Sequence, residues 1–260
     1  MFATLLNPHA FAPSLEGQIA LVDQLGGPFL SERVDDLRAA RAHGLSTGLI
    51  LRDQPGTSLA AQMNERLEES EAEIVAICTH ALNVEIDQDA APVAALRTAL
   101  ASAEGRHRMV ITLGSTLAAQ SASAWRSLPM ESLLFDPIAD PDGWRAAATL
   151  SGECGLVLAL IAGSDTPPVA REALLWGLRY AASLGGRGGH RVGFTERPAP
   201  GWVDGVQQDR PEESALTFAA VGDLLRLTLA DRETLERELD PRSISPAAQR
   251  QRGQSGREQT

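Results

Sequence analysis

The chain has 260 residues, 43% of them hydrophobic and 4% aromatic, and carries a formal net charge of −11. That length suits one large α/β domain whose core is mainly Leu, Val, Ile and Ala. The acidic balance argues against nucleic acid and anionic membranes as partners, because both need a basic footprint.

Taken in chain order, apolar runs alternate with stretches of helical spacing. Strand-like runs fall at 2–6 (FATLL), 19–24 (IALVDQ), 47–53 (TGLILRD) and 73–80 (EIVAICTH). They continue at 108–114 (RMVITLG), 132–137 (SLLFDP), 156–163 (LVLALIAG) and 191–196 (RVGFTE). Helices are expected over 31–44, 57–70, 91–105 and 167–186, the first with a Ser at its entry and a Gly at its exit. A longer helical region runs over 213–239. Buried parallel strands with helical crossovers define an α/β fold. Eight strands in a chain of this length indicate a single (β/α)8, TIM-type barrel over 1–242. About a dozen residues separate the first two runs, so the first unit is expected to be abbreviated. An open doubly wound sheet is the alternative, but no G-x-G-x-x-G follows a strand. The tail 243–260 has almost nothing to bury and is expected to be disordered. No apolar run reaches the ~18–20 residues of a spanning helix, and the N-terminal stretch lacks a basic signal region. A cytoplasmic location is expected.

All 23 basic residues are arginines, which excludes Schiff-base lysine chemistry and a P-loop lysine. In a parallel barrel the functional face is built at the carboxyl ends of the strands. That rule selects Asp136 and Glu196 as acid/base candidates. It selects Asp23, Arg52, Asp53, His80 and Arg197 as substrate-binding candidates, the arginines able to clamp a carboxylate or phosphate in two-point fashion. Trp202, close behind this rim, is expected to be exposed. Cys78 reads as a small core residue, while Asp87 in VEIDQD reads as part of a solvated loop. The run GGRGGH (185–190) precedes a strand, which puts it on the stability face. His9, His43 and His107 fall outside strand ends and are not expected to act.

Three pieces in order, MVITLGS (109–115), MESLLFDPIAD (130–140) and the strand–helix–strand ending in HRVGFTERPAPGW (190–202), resemble the catalytic barrel of cobalamin-independent methionine synthase and its uroporphyrinogen decarboxylase-like relatives. The resemblance implies a barrel whose family chemistry uses zinc to hold a thiol substrate as thiolate. Carried across residue by residue, the His and Cys ligand positions fall on Ile111 and Leu113, the late cysteine near Pro198, and the carboxylate on Asp136. Zinc is therefore not expected, and the cofactor is unknown. The expected function is a small-molecule-binding barrel, an enzyme on a polar or anionic metabolite. A non-catalytic barrel serving as a partner or regulatory subunit is one alternative, with a protein partner or homo-oligomer left open. A divalent-metal-dependent lyase or hydrolase using Asp23, Asp53, Asp87 and Asp136 is the other.

Overall fold

The computed structural model describes residues 2–53, 58–79, 91–112, 125–141, 143–161, 171–197 and Trp202. Eight strands form one sheet: β1 (Phe2–Ala3), β2 (Phe29–Ser31), β3 (Thr47–Arg52), β4 (Ile74–Cys78), β5 (His107–Ile111), β6 (Ser132–Phe135), β7 (Gly155–Ile161) and β8 (Val192–Glu196). Every neighbouring pair is parallel, in the order β1-β8-β7-β6-β5-β4-β3-β2. A parallel bridge between Leu5 and Phe29 joins the two ends, so the sheet curls into an α/β barrel. The described helices are α1 (Leu15–Leu25), α2 (Val34–Ala42), α3 (Leu59–Ser70), α4 (Ala91–Ser102), α5 (Gly143–Thr149) and α6 (Arg171–Ser183). None of them is long and apolar enough to cross a membrane. Residues 203–260 lie outside the described residues, and with them the helical region 213–239 and the expected tail.

One strand assignment changes. Residues 19–24 belong to α1, not to a strand. A short apolar run is ambiguous between helix and strand, and the end signals decide it. Ser14 caps the helix by accepting from the Gly17 N–H at 3.2 Å, and Gly26 ends it with φ 65°. Ile19, Val22 and Leu25, three apart on one face, are buried. The second strand is instead the three-residue β2, reached past Gly27, where a Cβ would stand 1.6 Å from the Ala3 carbonyl oxygen. The first unit is therefore not abbreviated: it carries an 11-residue helix.

Both faces of the strands are buried, by alternate residues. Leu49, Leu51, Val75, Ile77, Leu156, Leu158 and Phe194 face outward and pack with helix residues such as Val22, Leu37, Met63 and Leu96. Leu30, Ile50, Ala76, Met109, Ile111, Leu134 and Val157 fill the barrel itself, so it is a packed core and not a pore. Cys78 belongs to this inner cluster, as its small apolar character suggests. Gly193 leaves room in the barrel for the Phe2 ring, 2.5 Å from where a Cβ would be.

The amino ends of the strands are tied by polar contacts. Arg187, 1% exposed, donates to the carbonyls of Ser151, Ala181 and Leu184 at 3.1 Å each and also to that of Cys154. These are orphan carbonyls of helix ends and turns. GGRGGH thus lies at the end of the barrel opposite the strand carboxyl ends.

Candidate functional site

The carboxyl ends of the strands hold most of the charged groups picked from the sequence, and nearly all of them have protein partners. Arg52, the last residue of β3, points into the barrel mouth with Gly48 and Ile50. Its Nε donates to Glu32 Oε1 at 2.7 Å, a second guanidinium nitrogen donates to the same oxygen, and a third reaches the Trp202 carbonyl. The guanidinium carbon sits 4.3 Å from the centre of the Trp202 ring, a stacked cation–π contact. Trp202 is consequently 4% exposed and part of the inner cluster, not an exposed rim residue.

Asp136, just past β6, and Arg197, just past β8, meet across the end of β7. Arg197 Nε donates to Asp136 Oδ2 at 2.7 Å, and its backbone N–H donates to the Ile161 carbonyl at 2.7 Å. Asp136 Oδ1 accepts from the N–H groups of Ile138 and Ala139 at 2.8 and 2.9 Å, which fixes the carboxylate in its loop. Asp53 accepts from the Thr79 hydroxyl at 2.9 Å and bridges the ends of β3 and β4.

Glu196 is 3% exposed and lies on the helix-facing side of β8, with Val192 and Phe194. Its Oε1 accepts from the N–H groups of Leu6 (2.9 Å) and Asn7 (2.7 Å), and its Oε2 from the Thr195 hydroxyl at 2.6 Å. Burial pushes its pKa above the ordinary carboxylate range, against these three donors, which pull it down. The side chain fastens the end of β8 to the loop that leaves β1. Asp23 sits elsewhere: it is exposed near the carboxyl end of α1, at the amino end of the sheet. The structure does not bring it to the mouth, because the run that carries it is helical. His80 and Asp87 lie outside the described residues.

A cavity of about 140 Å³ opens at the mouth between the ends of β1, β2 and β3. Its polar lining is Asn7, His9, Gln18, Ser31, Glu32, Arg33, Asp36 and Arg52, with Leu6, Ile50 and Trp202 as apolar walls. Of the sequence-selected residues only Arg52 lines it. Gln18, 7% exposed, donates from Nε2 to the Ala12 carbonyl at 2.9 Å, which fixes the amide orientation. The same Nε2 is 3.2 Å from His9 Nδ1, within hydrogen-bond distance. Ser31 donates to Asp36 Oδ2 at 3.2 Å. His9, not counted at a strand end on the sequence, lies in the loop that follows β1 and the run FATLL. Asn7 follows the same run, while Gln18 lies on α1 and Asp36 on α2, positions that a search confined to strand ends does not reach. Assigning 29–31 as a strand places Glu32 at a carboxyl end as well.

The metal ligands implied by the methionine synthase resemblance do not fit. Ile111 fills the inner core, and Asp136 is committed to Arg197 and two backbone donors. Leu113 and Pro198 lie outside the described residues. Among the described residues no group of three or more His, Cys, Asp and Glu side chains is placed to hold a metal ion.

Fold and site together define an α/β barrel with a small polar cavity at the carboxyl ends of its first three strands. No protein-family model and no curated protein matches the chain by sequence. Solved structures match by fold. A B12-independent methionine synthase from Shewanella sp. W3-18-1 aligns with a TM-score of 0.54 at 11% identity, covering 75% of this chain and 67% of that one. An L-ribulose 3-epimerase gives 0.53 at 11% identity over 89% and 98% of the two chains. A D-psicose 3-epimerase from Clostridium cellulolyticum H10 gives 0.50 at 11% identity over 92% and 96%. At such identities the likeness is one of fold.

Proposed function

We propose that the protein is a (β/α)8 barrel that binds a small polar metabolite in the cavity at the ends of β1, β2 and β3, and acts on it there as an enzyme. The observation that carries this reading is the cavity itself: a recess at the carboxyl ends of parallel strands, lined by polar side chains. The fold neighbours are named as a synthase and two epimerases, which supports an enzyme acting on a small molecule. Arg52 and Arg197 hold carboxylates of the protein itself, so the ligand is polar without having to be an anion. Asp136 and Arg197 provide the charged wall on the far side of the mouth. Glu196 is a positioning residue, since it holds the backbone of Leu6 and Asn7 where they border the cavity.

An unbiased thermal-shift screen of polar metabolites tests this reading. At least one compound should raise the melting temperature in a concentration-dependent manner. The reading fails if no compound does so while the protein is monodisperse and folded.

One observation favours a second reading, a non-catalytic barrel acting as a partner or regulatory subunit. Asp136, Glu196, Arg52 and Arg197 are all engaged inside the protein. Co-purification of one stoichiometric protein partner, with no ligand response, would establish it.

A further inference from the structure

Resting on the cavity reading above, we infer that this cavity takes a small uncharged polyhydroxylated molecule, a polyol or sugar fragment, and not an anion or an amine. Four charged side chains line it, the carboxylates Glu32 and Asp36 and the guanidiniums Arg33 and Arg52, so their formal charges cancel. Arg52 is spent on Glu32 and Trp202, and Arg33 Nε lies 3.8 Å from Asp36 on a side chain 75% exposed. An entering carboxylate would therefore meet Glu32 and Asp36 with only the solvent-exposed Arg33 guanidinium to receive it. An entering ammonium would replace a neutral balance with a surplus positive charge beside Arg52. Burial of an uncompensated charge is costly in either sign.

The polar atoms left over ask for hydroxyl groups. Among the described residues no donor reaches Gln18 Oε1, although Gln18 is 7% exposed and its Nε2 is fully occupied. Among the same residues no donor reaches Glu32 Oε2, and the Asn7 side-chain amide meets no partner. The set is two acceptors plus one amide that both donates and accepts. Hydroxyls match it, because each can donate to an acceptor and accept from an N–H. Volume sets the size. A cavity of about 140 Å³ compares with the roughly 150 Å³ that accommodates a six-heavy-atom ring, so the buried part of the ligand is of glycerol size.

The test is saturation-transfer NMR on the full chain with four probes: glycerol, erythritol, ethanolammonium chloride and sodium lactate. The two polyols should bind and the two charged probes should not. Asn7→Ala, which removes a side chain without internal bonds, should weaken polyol binding about fivefold and leave the melting temperature unchanged. Gln18→Met should weaken it further. If a charged probe binds instead and both variants abolish that binding, the ligand class is wrong while the cavity remains a binding site. If no probe binds, or if polyol binding is indifferent to both variants, the inference is overturned, while the cavity reading stands or falls by the metabolite screen above.

Discussion

Replacing Glu196 separates a clamp from a charge. Its carboxyl receives two backbone N–H groups, from Leu6 and Asn7, and one hydroxyl, from Thr195. In Glu196→Ala all three donors lose their acceptor. At about 1–3 kcal/mol for each buried donor left unsatisfied, the cost is roughly 3–9 kcal/mol, at the lower end if water enters the vacated space. In Glu196→Gln the amide oxygen can still accept from Leu6 and Asn7, and the amide nitrogen can donate to a Thr195 hydroxyl turned the other way. That variant should stay within about 1 kcal/mol of the parent near neutral pH. The two should also differ in pH dependence. Burial raises the carboxyl pKa on folding. A group raised in this way contributes stability that is fully present below its unfolded pKa, about 4.3, and is lost as pH rises through its folded value. The parent should therefore lose stability relative to Glu196→Gln as pH climbs above the ordinary carboxylate range. Equilibrium urea unfolding of the three proteins across pH 4–8 measures both effects. If Glu196→Gln is as damaging as Glu196→Ala, and the parent gains stability with rising pH, the carboxylate is needed as an anion and the reasoning is wrong.

Other outcomes follow from the same contacts. Arg187→Met should cost about 2–5 kcal/mol in unfolding free energy, because it strips a charged donor from buried carbonyls; ligand-induced thermal shifts should survive it. Gly27→Ala should prevent the chain from folding as a barrel, seen as loss of the cooperative thermal transition, since its Cβ would fall 1.6 Å from the Ala3 oxygen. Burial pushes the Cys154 thiol up to about 11, against the nearby Arg187. Native protein at pH 8 should accordingly leave Cys154 unlabelled by iodoacetamide, and mass spectrometry should find it alkylated only after denaturation. A double-mutant cycle on Asp136→Asn and Arg197→Met should give a coupling of about 1–2 kcal/mol, above that of an exposed pair, because the two side chains are only 12% and 15% exposed.

The barrel was readable from periodicity because strands buried on both faces are continuous apolar runs, and TGLILR, IVAIC and GLVLALI stand out against amphipathic helices. Where the run was short the pattern gave out. IALVDQ has the composition of a strand, but the Ser14 cap and the left-handed Gly26 make it part of a helix. FLS, with three residues, offers no period to detect. That single exchange hid the place of Glu32 in the site. With the second strand placed at 19–24, Glu32 does not appear at a strand end, whereas Asp23 does; Asn7 and His9 follow FATLL and lie in the loop past its end. The rule that strand ends carry charged groups held for Arg52, Asp53, Asp136, Glu196 and Arg197. Sequence does not reveal that these groups satisfy one another, because partners such as Glu32 for Arg52 and Asp136 for Arg197 come from different strand ends.

The closure of the sheet is uneven. β1 is bound to β8 by two residue pairs and to β2 by the one bridge at Leu5 and Phe29, whereas β3 and β4 share five pairs. The cavity lies beside that thinly stitched line, so a molecule seated there would touch both edges of the seam at once. Occupancy would then act as a rivet: its effect should be largest on amide exchange in residues 2–7 and 29–32, and should fade toward the opposite wall of the barrel.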